Sequence, residues 1–167
     1  MTFEVRRAGR ADVDAIAAAH LDSIRSLGPL YYGQAIVSDW GARVTADIYV
    51  SAMAHGEVFF MATSVPDDSL DVLGFSSHRI DDDVHGASVY VRGTAARRGI
   101  GSALYRAAEA AALAAGATSI HLDASLGAVA FYKANGFEEI GRGDHRLWSG
   151  RTMPCVVIRK ILAPPRP

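Results

Sequence analysis

The sequence predicts a mixed α/β fold: a sandwich with one main sheet and helices laid against it. Two observations carry that expectation. Strand-like segments open and close the chain, and the middle alternates strand, helix, strand, helix. The alanine-rich helix in that middle, over 99–115, puts Ile100, Leu104, Ala107, Ala111 and Ala114 on one face, and residues that small suit close packing on a sheet.

Each element follows from its local pattern. Phe3–Arg7 reads as an opening strand. Arg10–Leu27 is a helix, because Val13, Ile16, Ala17, His20, Leu21, Ile24 and Leu27 recur near helical spacing. Gly28-Pro29 ends it. Two short helices follow, Gly33–Trp40 and Thr45–Met53, the second with Thr45 as its cap. Glu57–Thr63 is a strand, and Val65-Pro66-Asp67-Asp68-Ser69 is a turn. Asp71–Ile80 and His85–Arg92 pair as a hairpin around Asp81-Asp82-Asp83. After the alanine-rich helix come a strand, Thr118–Asp123, and a short helix, Leu126–Asn135, which Gly136 stops. Phe137–Ile140, His145–Trp148 and Cys155–Lys160 complete the sheet. Residues 1–162 are expected to form one domain, and the Pro-rich tail Ala163–Pro167 to be disordered.

A chain of 167 residues has the size of one domain with a full core. Its net charge of −1 argues against an electrostatic nucleic-acid binder, which would carry a basic surplus. The alanine-rich runs are cut by charged residues before a membrane span is reached. Met1–Arg7 lacks the apolar run of a secretory signal. The single cysteine, Cys155, excludes an internal disulfide and fits a reducing, cytoplasmic setting. In its apolar strand it reads as a buried, inert thiol. A homodimer is left open, and no metal site is expected.

Arg97-Arg98-Gly99-Ile100-Gly101-Ser102 is the most telling stretch. It joins a strand to a helix. The glycines let the backbone pass close to a ligand, and the first N–H groups of a helix have no intrahelical partner. With the helix dipole and the charge of Arg97, Arg98 and Arg106, this predicts a phosphate or pyrophosphate site. A P-loop would need Lys and Ser/Thr after its last glycine, where this chain has Ser102-Ala103. A dinucleotide fingerprint would need a third glycine, and position 104 is Leu.

Further on stands Ala124-Ser125-Leu126-Gly127-Ala128-Val129-Ala130-Phe131-Tyr132-Lys133-Ala134-Asn135-Gly136-Phe137. With the glycine loop, and with Val89-Tyr90-Val91 just before it, this run resembles the GNAT superfamily of acyl-CoA-dependent N-acyltransferases. That family carries R/Q-x-x-G-x-G/A, then about thirty residues later N-x-x-A-x-x-[LF]-Y-x-x-x-G-F. The likeness is strongest over 87–140. Three positions depart: Ala96 stands where R/Q is usual, Ser125 where Asn is frequent, and Gly93 where Pro often follows the strand. The resemblance implies a mixed, mostly antiparallel central sheet with helices on both faces. Two parallel strands would splay apart at an acyl-CoA cleft, and the cofactor's amide-bearing arm would satisfy the main-chain groups left unpaired there. It implies acetyl-CoA as cofactor, with CoA as product. The binding residues would be Val89, Tyr90, Val91, Arg97, Arg98, Gly99, Ile100, Gly101, Ser102, Ser125, Ala128, Phe131, Tyr132 and Lys133.

Acyl transfer to an amine needs a proton acceptor for the amine, a donor for the thioester carbonyl and a proton for the departing thiolate. By resemblance the donor is the backbone N–H near Val91 and the acid is Tyr132. Without the motif, Tyr132 would read as a packing residue beside Phe131. For the base, His145 ranks first and His85 second, since histidine titrates near operating pH. His78 reads as a satisfied sheet residue and Asp81–Asp83 as a solvated turn. Asp123 reads as a cap for the next helix. Tyr31, Tyr32 and Trp40 form an aromatic cluster placed to wall an acceptor site, or equally to cap the core. The expected reaction is transfer from acetyl-CoA to a primary amine of a small molecule or peptide, by direct attack in a ternary complex. The competing expectation is a catalytically idle acyl-CoA-binding module that regulates a partner protein.

Overall fold

The computed structural model describes residues 2–65 and 71–162. Strand β1 (Thr2–Arg7) leads through a 3₁₀ turn into helix α1 (Val13–Leu27); α2 (Gln34–Gly41) and α3 (Ala46–Ala54) follow. Strands β2 (Val58–Val65), β3 (Val72–Asp81) and β4 (Val84–Val91) precede α4 (Ile100–Ala114). The chain ends with β5 (Ser119–Ser125), α5 (Val129–Ala134), β6 (Glu138–Arg146) and β7 (Thr152–Ile161). Most of the predicted turn at 65–69, and the predicted tail at 163–167, lie outside the described residues.

The mixed α/β architecture is as expected, but the sheet is divided. Strands β1-β2-β3-β4 form one antiparallel sheet and β5-β7-β6 another, with no ladder between β4 and β5. The two strands predicted at 137–140 and 145–148 are one strand, β6. A register shift between Glu139 and Gly141 bends it without breaking its pairing to β7. Trp148 falls in the turn beyond it and is exposed. Thr45 stands at the N-cap of α3, yet its side chain makes no capping bond. The β3–β4 hairpin turns at Asp82 (φ 47°) and Asp83 (φ 64°). Two positive φ angles make a tight two-residue turn, a conformation that short acidic side chains tolerate.

Three apolar clusters hold the layers together. Ile16, Ala19 and Ile24 of α1 pack with Tyr49, Phe59, Met61 and Phe75 on one face of the first sheet. On its other face Ile100 and Leu104 of α4 meet Ala62 and Leu73. The far side of α4 supplies Tyr105 and Ala112 to a cluster with Ile120, Tyr132, Phe137, Val156 and Ile158. Helix α4 therefore bridges both sheets and holds β5 beside β4 across an open seam.

Candidate active site

The seam between β4 and β5 is where the main chain is left over. Arg92 N–H donates to Leu73 O at 2.9 Å, so residues 73 and 92 form a hydrogen-bonded pair of the β3–β4 ladder. Antiparallel pairing alternates, so Tyr90 and Ser88 also bond to β3, while Ala87, Val89 and Val91 turn their N–H and C=O groups the other way. On the facing strand, Leu162 N–H donates to Thr118 O at 2.9 Å. By the same alternation Asp123 and Ser125 turn their main chain away from β7, toward β4. Two strand edges with no ladder between them face each other across the gap.

The gap opens into a cleft of about 360 Å³ lined by Trp40, Glu57, Arg79, Ser88, Val89, Tyr90, Asp123, Ser125, Ala128, Tyr132, His145 and Met153, among others. Of the residues expected at the cofactor, Val89, Tyr90, Ser125, Ala128 and Tyr132 meet here. The glycine loop sits at the end of β4. Arg97 (φ 61°) and Gly99 (φ 79°) are both left-handed, which folds the loop back so that α4 starts against the strand. A Cβ on Gly101 would stand 3.0 Å from Phe131 Cε2 and 3.6 Å from Val91 Cγ2. Glycine there brings the first turn of α4 close to both β4 and α5. Lys133 is exposed on α5 and faces Glu139 at 3.4 Å.

Gly93, where the resembled family often has Pro, has its own reason. Its N–H donates to Asp22 Oδ1 at 2.9 Å, and proline has no N–H to give. A Cβ at 93 would come within 2.5 Å of Ser26 Cβ, so this glycine also lets α1 lie on the loop.

Tyr132 is buried. Burial, then the neighbouring Tyr90, push its phenol well above the usual tyrosine range, while the Val89 N–H facing its oxygen acts against them. That N–H occupies an acceptor lone pair and leaves the phenol proton free to be donated. The expected bases separate. His145 lines the cleft with its Nδ1 3.7 Å from Asp123 Oδ2, and both side chains are about half exposed. Asp123 is thus a cleft residue in mid-strand, not the expected helix cap. His85 lies instead in a second recess with Asp83, Ser119 and His121. There its Nδ1 is 2.9 Å from His78 Nε2, with the two rings stacked.

The aromatic cluster also divides. Trp40 lines the cleft and packs edge-on to Tyr32 and Tyr90. Tyr32 is buried and its hydroxyl is spent: it donates to Pro154 O at 2.7 Å and accepts from Leu126 N–H at 2.8 Å. Tyr31 is half exposed and lies over Gly127, so close that a Cβ there would meet its ring at 2.7 Å. Cys155, distant from both motifs in sequence, pairs with Ser125 in the β5–β7 ladder. Burial, then Asp123, raise its thiol pKa and keep it protonated. Sequence reasoning missed Glu57, Arg79 and Met153, for which no local motif gives a signal.

The fold matches solved structures over nearly its whole length. A GCN5-related N-acetyltransferase from Rhodopseudomonas palustris superposes with a TM-score of 0.83 at 24% identity, covering 97% of each chain. The PaiA N-acetyltransferase of Thermoplasma acidophilum, solved in complex with coenzyme A, gives 0.76 at 16% identity over 97% of this chain and 100% of that one. YncA of Salmonella typhimurium, a putative acetyltransferase solved with acetyl-CoA, gives 0.71 at 18% identity over 98% of each. No curated protein matches the chain in sequence. Residues 28–137, more than half the chain, match the model of the acetyltransferase (GNAT) family, and the chain belongs to that family.

Proposed function

We propose that this chain is an N-acetyltransferase that uses acetyl-CoA and acetylates a primary amine of a small molecule or peptide, by direct attack in a ternary complex. The observation that carries this reading is the main chain of Val89 and Val91, which turns away from β3 and makes no ladder with the facing edge of β5, its Val89 N–H set on the oxygen of the buried Tyr132. An amide-bearing arm fits between such edges as an added strand would. The loop Arg97–Ser102 and the first turn of α4 offer N–H groups and positive charge to a pyrophosphate. Bound acetyl-CoA would supply the acetyl thioester.

The chain's own groups then divide the work. Val91 N–H, unspent on β3, is the donor available to a carbonyl oxygen that gains negative charge. Tyr132 keeps its proton at neutral pH and gives it up as the sulfur leaves. Because its pKa exceeds that of a thiol, about 8.5, the transfer needs the amine's departing proton to refill it. Cys155 is buried and protonated, which supports direct attack over a covalent acyl-enzyme. Of the two histidines, the position of His145 supports a part at the cleft, and the pairing of His85 with His78 supports a structural one. Residues to 162 act as one domain in this reading, and the reduced thiol fits a cytoplasmic enzyme.

Thermal denaturation with and without CoA tests the assignment. A ligand bound only by the folded state raises the melting temperature. No shift at millimolar CoA sinks the cofactor reading. Thiol release from acetyl-CoA across a panel of amines then tests the reaction.

A further inference from the structure

Glu57 belongs to no motif, yet it lines the cleft with Trp40, Arg79 and Tyr90. It is only partly exposed. Its Oε1 accepts the Ser77 hydroxyl at 2.5 Å, and among the described residues Oε2 accepts no hydrogen bond. The nearby cation, Arg79, is directed elsewhere: its Nε lies 3.2 Å from Asp81 and its Nη1 donates to Ser88 Oγ at 3.0 Å. Burial raises the Glu57 carboxyl; the Ser77 hydroxyl and Arg79 oppose that rise, and Asp81 adds to it. From α3, Tyr49 also faces it, its phenol raised by burial, by Tyr90 and by Glu57 itself.

A partly buried carboxylate without its own counter-ion loses hydration that a cationic ligand would offset. Trp40 lines the same cleft, and an aromatic ring there is a second feature suited to a cation. His145 differs: it stands half in solvent opposite Asp123. Given the acetyl-transfer reading, on which this rests, we infer that the acceptor enters as a primary ammonium ion and that Glu57 is its counter-ion and proton acceptor. One N–H bond of the ammonium breaks and its proton passes to Glu57. The freed lone pair forms the N–C bond as the C–S bond breaks. Tyr132 gives a proton to sulfur and regains one from the same nitrogen. The Glu57 proton leaves to water, so ammonium and thioester yield amide, thiol and one proton.

Glu57→Gln keeps the shape and removes the charge. On a primary amine that the wild type acetylates, drawn from butylamine, 1,5-diaminopentane, glucosamine and glycylglycine, kcat/KM should fall about 10²–10⁴-fold. The CoA-induced thermal shift should stay. The acidic limb of the kcat/KM–pH profile, where rate rises as Glu57 loses its proton, should vanish. Ser77→Ala removes the donor that favours the ionised form, so it should move that limb to higher pH. A wild type that binds no CoA overturns the cofactor reading and this inference with it. If the wild type binds CoA and acetylates an amine, kcat/KM within twofold in Glu57→Gln overturns the role of Glu57 alone. An acidic limb that survives there but disappears in His145→Gln moves the role to His145. If Glu57→Gln fails to fold, a limb unmoved by Ser77→Ala overturns it equally.

Discussion

The two walls of the cleft are made of different materials. On the proposed cofactor side, main-chain N–H groups of β4, two left-handed loop residues and a glycine at the first turn of α4 form the surface. These features come from one run of about fifteen residues. The opposite side is built of side chains: Trp40 from α2, Glu57 ahead of β2, Arg79 from β3, Asp123 from β5 and His145 from β6. A ligand that is always the same can be held by backbone geometry. An acceptor that varies within one fold calls for replaceable side chains, and these are dispersed along the chain.

Breaking the backbone wall should give the largest effect. Gly101→Val would set a branched side chain where even a Cβ stands 3.0 Å from Phe131. Overpacking of this kind costs about 1–3 kcal/mol, which a domain with about 5–15 kcal/mol of stability survives. The variant should give a folded far-UV spectrum and no thermal shift with CoA. A folded variant with unchanged CoA affinity would show that the loop is only a turn. Next comes Tyr132→Phe, which keeps the ring among Tyr105, Phe131 and Phe137 and removes the hydroxyl. Loss of the acid belongs to the transition state, so kcat and kcat/KM should fall together, by about 10²-fold since water replaces part of the donor. Wild-type kcat on a true acceptor would remove Tyr132 from the mechanism.

This division also explains what the sequence disclosed. The glycine loop and the Tyr132 segment are contiguous, so order and spacing showed them before any fold was known. The same local reading went wrong where tertiary pairing decides. Long antiparallel contact with β7 carries β6, bent at Glu139–Gly141, across the gap left between the two strands expected there. Tyr32 read equally as acceptor wall or core cap; it is buried and ties the loop after α1 to Pro154 and Leu126, a long-range pairing that no spacing encodes. Glu57 was invisible for the same reason. Its meaning depends on Ser77 and Arg79 of β3 and on Trp40 of α2, brought to it by two other elements.

A residue behind both walls gives a smaller, pH-dependent effect. His20 of α1 packs its ring 3.9 Å from that of Tyr90, and its Nδ1 lies 2.6 Å from the Tyr49 hydroxyl. Its Nε2 is buried and has no partner among the described residues. Burial lowers its pKa to about 3. The unfolded chain, with a histidine near 6.5, therefore binds the proton that the folded chain refuses. Stability from this group is complete above about pH 6.5 and is lost as pH falls toward 3, at about 1.4 kcal/mol per unit. Urea denaturation at pH 6.5 and 5 should show the wild type losing about 2 kcal/mol more than His20→Gln. Parallel losses in the two proteins would mean that the folded state admits the proton.

The smallest effect concerns the seam where the two walls join. Asp22 of α1 accepts the Gly93 N–H at 2.9 Å and faces Arg92 Nη1 at 3.5 Å, so the helix behind both walls holds the strand end from which the cofactor loop departs. A hydrogen bond to a charged group contributes about 1.5–3 kcal/mol, and the partial exposure of this pair places it at the lower end. Asp22→Ala should therefore cost about 1.5 kcal/mol of stability. Asp22→Asn, whose amide oxygen still accepts the N–H, should cost less. If the tether positions the loop, the alanine variant should raise the KM for acetyl-CoA a few-fold with kcat unchanged, the mark of binding lost equally in ground and transition states. The asparagine variant should restore most of it. A KM unaffected by Asp22→Ala, beside a measured loss of stability, would show that the backbone wall holds its shape without α1 and that the two walls are independent parts.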